Sequence, residues 1–146
     1  MPAVEIPVEK WSGRVHEVNL GGNGRKELIV GGETTLPFLR FEGATPHRPA
    51  VAIEVSDKEP TDWAEPLVRA WGDVLKSPAR WAKKAAEQGA DAIVLNLESA
   101  HPESGDTGAD HTRQVVGDVL MAVDLPLIVI GPEVAEKDNM VLVAAS

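Results

Sequence analysis

The stretch GADAIVLNLES, residues 89–99, runs from a glycine through apolar residues to an amide, a carboxylate and a hydroxyl. Asn96 can donate and accept, Glu98 accepts, and Ser99 does either. Such groups at a strand end suit a ring carbonyl or an amide of a bound molecule. Period-two alternation puts Asn96 and Glu98 on one side of the strand and Ser99 on the other.

A second polar group follows at once. His101, Asp106, Asp110 and His111 fall within HPESGDTGADH. Histidines among carboxylates can bind zinc or non-haem iron, but this spacing matches no tight pattern such as HExxH. Gly105 and Gly108 loosen the segment, which reads as a solvated acidic loop with Asp110 capping the next helix. The histidines sit on loops or strands, with no serine elbow from which a Ser-His-Asp arrangement could be built. GGNGRKE, residues 21–27, looks like a glycine-rich phosphate loop. It lies between two β-like runs, so the pattern reads as a hairpin turn.

The elements that position these residues follow from periodicity. RVHEVNL (14–20) and KELIV (26–30) flank the glycine cluster as two short strands. GGETTLPF then bends the chain, and the section up to Gly43 reads as an extension rather than a domain. RPAVAIEVSD (48–57) is a β-rich run, and Lys58 and Glu59 place Asp57 in an exposed turn. Pro60, Asp62 and Pro66 punctuate a connection. DVLKSPARWAKKAAEQG (73–89) reads as helical, with Ser77 as N-cap, Pro78 in the first turn and Gly89 as the stop. The apolar core of GADAIVLNLES is continuous, which fits a strand covered on both faces. HTRQVVGDVLMAVD is a helix burying Val115, Val116, Val119, Leu120 and Val123. LPLIVIGP is a third strand, and EVAEKDNMVLVAAS begins a further helix with Asp138 as its cap. Trp81 belongs to the core, while Trp63 and Trp71 fit either an interface or core packing. Strands alternating with helices predict βαβ units and a parallel sheet. A doubly wound sheet and part of a (β/α)8 barrel both satisfy the pattern. No GxGxxG or GxxxxGK[ST] follows the first strand of that sheet to mark a nucleotide fold.

Composition narrows the function classes. With 146 residues, 43% of them hydrophobic, the chain can bury one real core. A net charge of −9 opposes a nucleic-acid footprint and docking on anionic lipid. No apolar run approaches the roughly 20 residues that span a bilayer. MPAVEIPVEKW lacks the basic and apolar regions of a secretory signal, so a cytoplasmic location is expected. Cysteine is absent, which removes disulfides, thiolate-ligated zinc and cysteine-ligated iron–sulfur clusters.

Four segments carry a family likeness: IVGGETTLPFLRFEG (29–43), RPAVAIEV (48–55), SPARWAKKAAEQGADAIVLNLES (77–99) and EVAEKDNMVL (133–142). In order and spacing the chain resembles the small, delta-type subunit of the corrinoid iron–sulfur protein, a part of the acetyl-CoA synthase/CO dehydrogenase system. The likeness covers nearly the whole chain. It implies an α/β fold of the TIM (β/α)8-barrel type. A full barrel needs about 250 residues, so only about the first three βα units are present, behind an N-terminal β-hairpin. The expected organisation is a hairpin extension over 1–43 and a partial barrel over 44–146. The family's second half is missing after Ser146, and the expectation is a fragment of a longer protein.

The resemblance further implies a heterodimer with a large subunit carrying a cobamide and a 4Fe–4S cluster. That heterodimer passes a methyl group from methyltetrahydropterin, supplied with its methyltransferase, to acetyl-CoA synthase/CO dehydrogenase in the reductive acetyl-CoA pathway. The small subunit covers the cobamide and contributes little chemistry of its own. Strand ends are the functional face of such barrels, so Asn96, Glu98 and Ser99 are the expected cofactor-binding residues, at the interface with the large subunit. No catalytic or metal-ligating residue and no iron–sulfur cluster is expected in this chain. Two other readings stand beside this one: a pterin-dependent methyltransferase of the same barrel type, and a non-catalytic α/β structural module.

Overall fold

Asn23 takes a left-handed φ of 55° between Gly22 and Gly24, both also at positive φ, and the chain reverses there. A computed structural model describes residues 4–36 and 38–146. Met1–Ala3, which open the stretch that lacks a secretory signal pattern, and Pro37, the proline of the expected bend, lie outside the described residues. The reversal joins β1 (Val18–Gly21) to β2 (Glu27–Val30), antiparallel, with Val18 opposite Val30 and Gly21 opposite Glu27. The expected bend follows: Thr34 N–H donates to the Ala44 carbonyl at 3.0 Å and Leu39 N–H to Leu36 at 2.9 Å.

Arg25 and the Lys26 backbone fasten the hairpin to the end of the second long helix and the loop after it. Arg25 donates to the carbonyls of Val123 and Leu120 at 2.7 and 2.6 Å, and Lys26 N–H donates to the Asp124 carbonyl at 3.1 Å. A guanidinium on the last carbonyls of a helix is favoured by both charge-assisted hydrogen bonding and the helix dipole.

Three parallel strands form the main sheet in the order β3 (Ala52–Ser56), β4 (Ala92–Asn96) and β5 (Leu127–Ile130). Register sets Val55 against Leu95 and Leu95 against Val129. The connections carry α1 (Glu65–Trp71), α2 (Pro78–Glu87) and α3 (Ala109–Ala122), and α4 (Ala135–Ala145) follows β5. Val55, Ile93, Leu95 and Leu97 are completely buried beneath Trp81, Ala82, Ala85 and Val119. Full burial of each large apolar side chain contributes about 1.5–3 kcal/mol. Trp63 stands edge-on to Trp81, with centroids 5.4 Å apart, and Trp71 tilts against it at 6.1 Å. All three tryptophans therefore pack together on the core. Among the described residues, no helix is long and apolar enough to cross a membrane.

Several expectations change. Helices α2, α3 and α4 pack side by side, and from Ile93 on burial along β4 alternates instead of running continuously, with Val94 and Asn96 half-buried. The sheet is thus covered on one face by this chain, and Glu54 and Asn96 stand on the other. The helix read across 73–89 is two pieces. Gly72–Lys76 is a 3-10 turn, and Ser77, at an extended φ of −146°, restarts the chain by accepting a bond from Arg80 N–H at 3.5 Å. The connection around Pro66 holds α1, whose first turn tolerates a proline because its N–H has no intrahelical partner. Gly108, not Asp110, is the N-cap of α3, and Asp110 pairs with Arg113 at 2.7 Å in the first turn. Val134, not Asp138, is the N-cap of α4. In both helices the acidic residue still lies where it complements the dipole.

Candidate functional site

Adjacent parallel strands bring alternate side chains into line on one face. Ser56 is the register partner of Asn96, and Glu54 precedes it on the same face of β3. Asn96 Nδ2 donates to Glu54 Oε1 at 2.9 Å across the strands. Just beyond the strand, Ser56 Oγ donates to Glu98 Oε2 at 3.2 Å. Lys58 Nζ lies 3.4 Å from Glu98 Oε1 and donates to Ser104 Oγ at 2.6 Å. The carboxyl ends of β3 and β4 therefore carry two polar groups side by side, Glu54 with Asn96 and Ser56 with Glu98, Lys58 and Ser104.

Two cavities open beside these groups. One, of about 470 Å³, is bounded by Glu54, Ser56, Asp62, Trp63, Trp81 and Glu98. The other, of about 460 Å³, is bounded by Asn96, Glu98, His101, Ile130, Gly131 and Glu133. Glu98 borders both. At the far wall of the second, the Asp138 side chain packs closely on Gly131. A Cβ at Gly131 would meet Asp138 Oδ1 at 2.1 Å, and Glu133 adopts a left-handed φ of 62°, which is uncommon for glutamate.

Asn96 and Glu98 thus reach the cavities, and Ser99 does not. The chain leaves β4 through a 3-10 turn over Glu98–Ala100, which ends the period-two alternation. Ser99 is 9% exposed, and its hydroxyl lies 2.5 Å from Asp57 Oδ2 and 2.7 Å from Thr107 Oγ1. Asp57, read as part of an exposed turn, has a side chain only 1% exposed. Its burial follows from the donors that converge on it. Ser99 N–H gives 2.8 Å to Oδ1, and the Ser99 hydroxyl and His111 Nε2, at 3.2 Å, share Oδ2. Ser99, Asp57 and His111 are brought together with the aspartate in the middle. The imidazole does not reach the serine, so no nucleophile–base pair results.

The other loop residues disperse. His101 Nδ1 accepts from Glu103 N–H at 3.1 Å and shapes a turn, while Asp106 pairs with Lys137 Nζ at 2.6 Å. Among the described residues, no three His, Asp or Glu side chains gather where a metal ion could be held. Sequence reasoning gives Glu54, Ser56 and Lys58 no ligand role, although Glu54 and Ser56 lie at a strand end and the alternation in AIEVSDK carries all three to one face. Asp57 carried no local signal.

A parallel α/β sheet with linked polar side chains and cavities at the carboxyl ends of its strands has the layout of a ligand-facing sheet. The comparisons identify which one. The family described as CO dehydrogenase/acetyl-CoA synthase delta subunit matches residues 17–146. The chain is 41% identical over 145 aligned positions to the acetyl-CoA decarbonylase/synthase complex subunit delta of Archaeoglobus fulgidus, covering 94% of this chain and 32% of that protein. It is 34% identical to the subunit of the same name from Methanothermobacter thermautotrophicus, covering 100% of this chain and 38% of that one. For Methanocaldococcus jannaschii the identity is 32%, covering 97% and 36%. The chain belongs to the delta-subunit family of the acetyl-CoA decarbonylase/synthase complex. It spans about a third of the length of these curated relatives.

Proposed function

We propose that this chain is the part of a delta subunit whose strand-end face covers a cobamide held by a corrinoid iron–sulfur large subunit. The parallel βαβαβ order then represents the first three units of a TIM-type barrel over residues 44–146, with residues 1–43 as its hairpin extension. The observation that carries the reading is the placement of Asn96 and Glu98, linked to Glu54 and Ser56, beside two open cavities at the strand ends of a chain in this family.

The donor set fits a corrinoid periphery. Carboxamide arms offer both N–H donors and carbonyl acceptors. Glu98 is half-exposed and retains acceptor capacity, and Asn96 keeps its own carbonyl and a second amide hydrogen beyond the one given to Glu54. When bound, the cobamide supplies the cobalt that carries the methyl group. This chain's residues orient the ring by its edge and exclude water from that face. The 146 residues contain no cysteine, which supports placing the 4Fe–4S cluster on the large subunit. The assembly then takes the methyl group from methyltetrahydropterin and its methyltransferase and delivers it to acetyl-CoA synthase/CO dehydrogenase, in the carbon-fixing reductive acetyl-CoA pathway.

The test is co-purification with the cobamide-loaded large subunit, followed by the corrinoid absorption band. A stoichiometric complex carrying the band is expected. Saturable binding of methyltetrahydropterin by this protein without the large subunit would favour a methyltransferase instead, and neither binding would leave a structural module.

A further inference from the structure

Asp57 has no role in the contacts described so far except to be buried, and burying a carboxylate is expensive unless every lone pair is used. Here three donors from two separate segments take up its two oxygens. Oδ1 accepts Ser99 N–H at 2.8 Å, from the turn that carries Glu98. Oδ2 accepts the Ser99 hydroxyl at 2.5 Å and His111 Nε2 at 3.2 Å, from the first turn of α3. Asp57 N–H itself donates to the Asn96 carbonyl at 3.0 Å. The loop between closes on the same point, since Thr107 N–H donates to the Ser99 carbonyl at 3.1 Å and Thr107 Oγ1 meets Ser99 Oγ.

We infer that Asp57 is the positioning residue of the strand-end face: it fixes the Glu98–Ala100 turn, and through it the direction of the Glu98 carboxylate between the two cavities. The inference rests on the reading that Glu98 meets the cobamide edge. Without Asp57, Ser99 loses the acceptors of its N–H and its hydroxyl and is left with its two contacts to Thr107. Glu98 would then be held only by Ser56 and Lys58, two contacts at 3.2 and 3.4 Å on a half-exposed side chain. Ser99 acts in this network as an anchor.

The experiment is a double-mutant cycle on binding of the full chain to the cobamide-loaded large subunit, read by corrinoid absorbance. Glu98→Gln is expected to weaken binding about tenfold, the scale of one charge-assisted hydrogen bond. Asp57→Asn is expected to weaken it by about threefold or more, and the double variant to be no weaker than E98Q alone, within about twofold. Effects that multiply would overturn the inference, because a merely structural aspartate acts independently of Glu98. No effect of E98Q would instead overturn the underlying reading of Glu98, and this inference with it. Ser99→Ala keeps the Asp57 charge and the Ser99 N–H bond, so it serves if D57N does not fold. It must show the same non-additivity with E98Q, and its failure to do so overturns the inference. Amide exchange gives a readout free of the partner. Ser99 N–H is expected to exchange about tenfold faster in Asp57→Ala, which leaves it no side-chain acceptor, while the β4 amides keep their protection. An unchanged Ser99 rate would overturn the inference.

Discussion

The Asn96 side-chain amide donates to Glu54 across β3 and β4, at 2.9 Å on the face of the sheet that the helices leave open. The bond fixes the Asn96 amide so that its remaining hydrogen and its carbonyl face the neighbouring space. Asn96→Ala is expected to lower stability by about 1 kcal/mol at most, the net value of one exchanged hydrogen bond. Asn96→Asp is expected to be worse than alanine at pH 7, because it places a second carboxylate against Glu54. Urea denaturation of the two variants checks the order.

Arg25 ties the hairpin to the carboxyl end of α3. Arg25→Ala removes two short bonds to the end of α3 and leaves the carbonyls of Leu120 and Val123 without them. The expected loss is about 2 kcal/mol. Limited proteolysis is expected to cut within the Gly21–Lys26 turn faster in the variant, while β3, β4 and β5 survive.

Asp91 makes a pH prediction with a definite sign. Arg48 beside it, first by hydrogen bonding, and then the Val51 N–H hold its carboxyl down at about 2. A carboxyl depressed on folding adds stability at pH values above its unfolded value of about 3.9. That contribution is lost as pH falls from about 4 to about 2. Arg48→Ala is therefore expected to move acid unfolding to higher pH, and Arg48→Lys to restore it only in part, because lysine cannot make the bidentate contact. An acid titration followed by circular dichroism reads the shift.

Trp81 is 2% exposed, and among the described residues its Nε1 has no hydrogen-bond partner. Trp81→Ala is expected to cost about 3–5 kcal/mol through the cavity it leaves beneath Trp63 and Trp71. Trp81→Phe is expected to cost much less, because it also removes a buried donor that is unpaired in the folded protein. Thermal denaturation of both variants checks the gap.

What was legible in the sequence was local. The hairpin was readable because GGNG demands positive φ, and the three parallel strands because each is an apolar run bounded by turn residues. Gly89, at φ 92°, ends α2's segment as a helix stop should. Family membership was legible too, from segments spread over the chain. What escaped was set by distant partners. Asp57 sits beside Lys58 and Glu59, which imply exposure, and only residues 99 and 111 explain its burial. Ser99 obeys alternation up to Leu97, and then the 3-10 turn takes over. The caps of α3 and α4 were misplaced because an acidic residue suits both the N-cap and the first turn. Glu54 was readable as the face partner of Asn96 only once the register of β3 against β4 was known.

The central claim is that Asn96 and Glu98 face a cobamide presented by another subunit. Titrating the full chain with the cobamide-loaded large subunit, while recording the corrinoid spectrum, tests it most directly. The account expects a saturable change in the corrinoid band at a one-to-one ratio, weakened by Asn96→Ala and by Glu98→Gln but not by Arg113→Ala, on the exposed side of α3. A complex whose affinity and spectrum ignore both strand-end substitutions would contradict it.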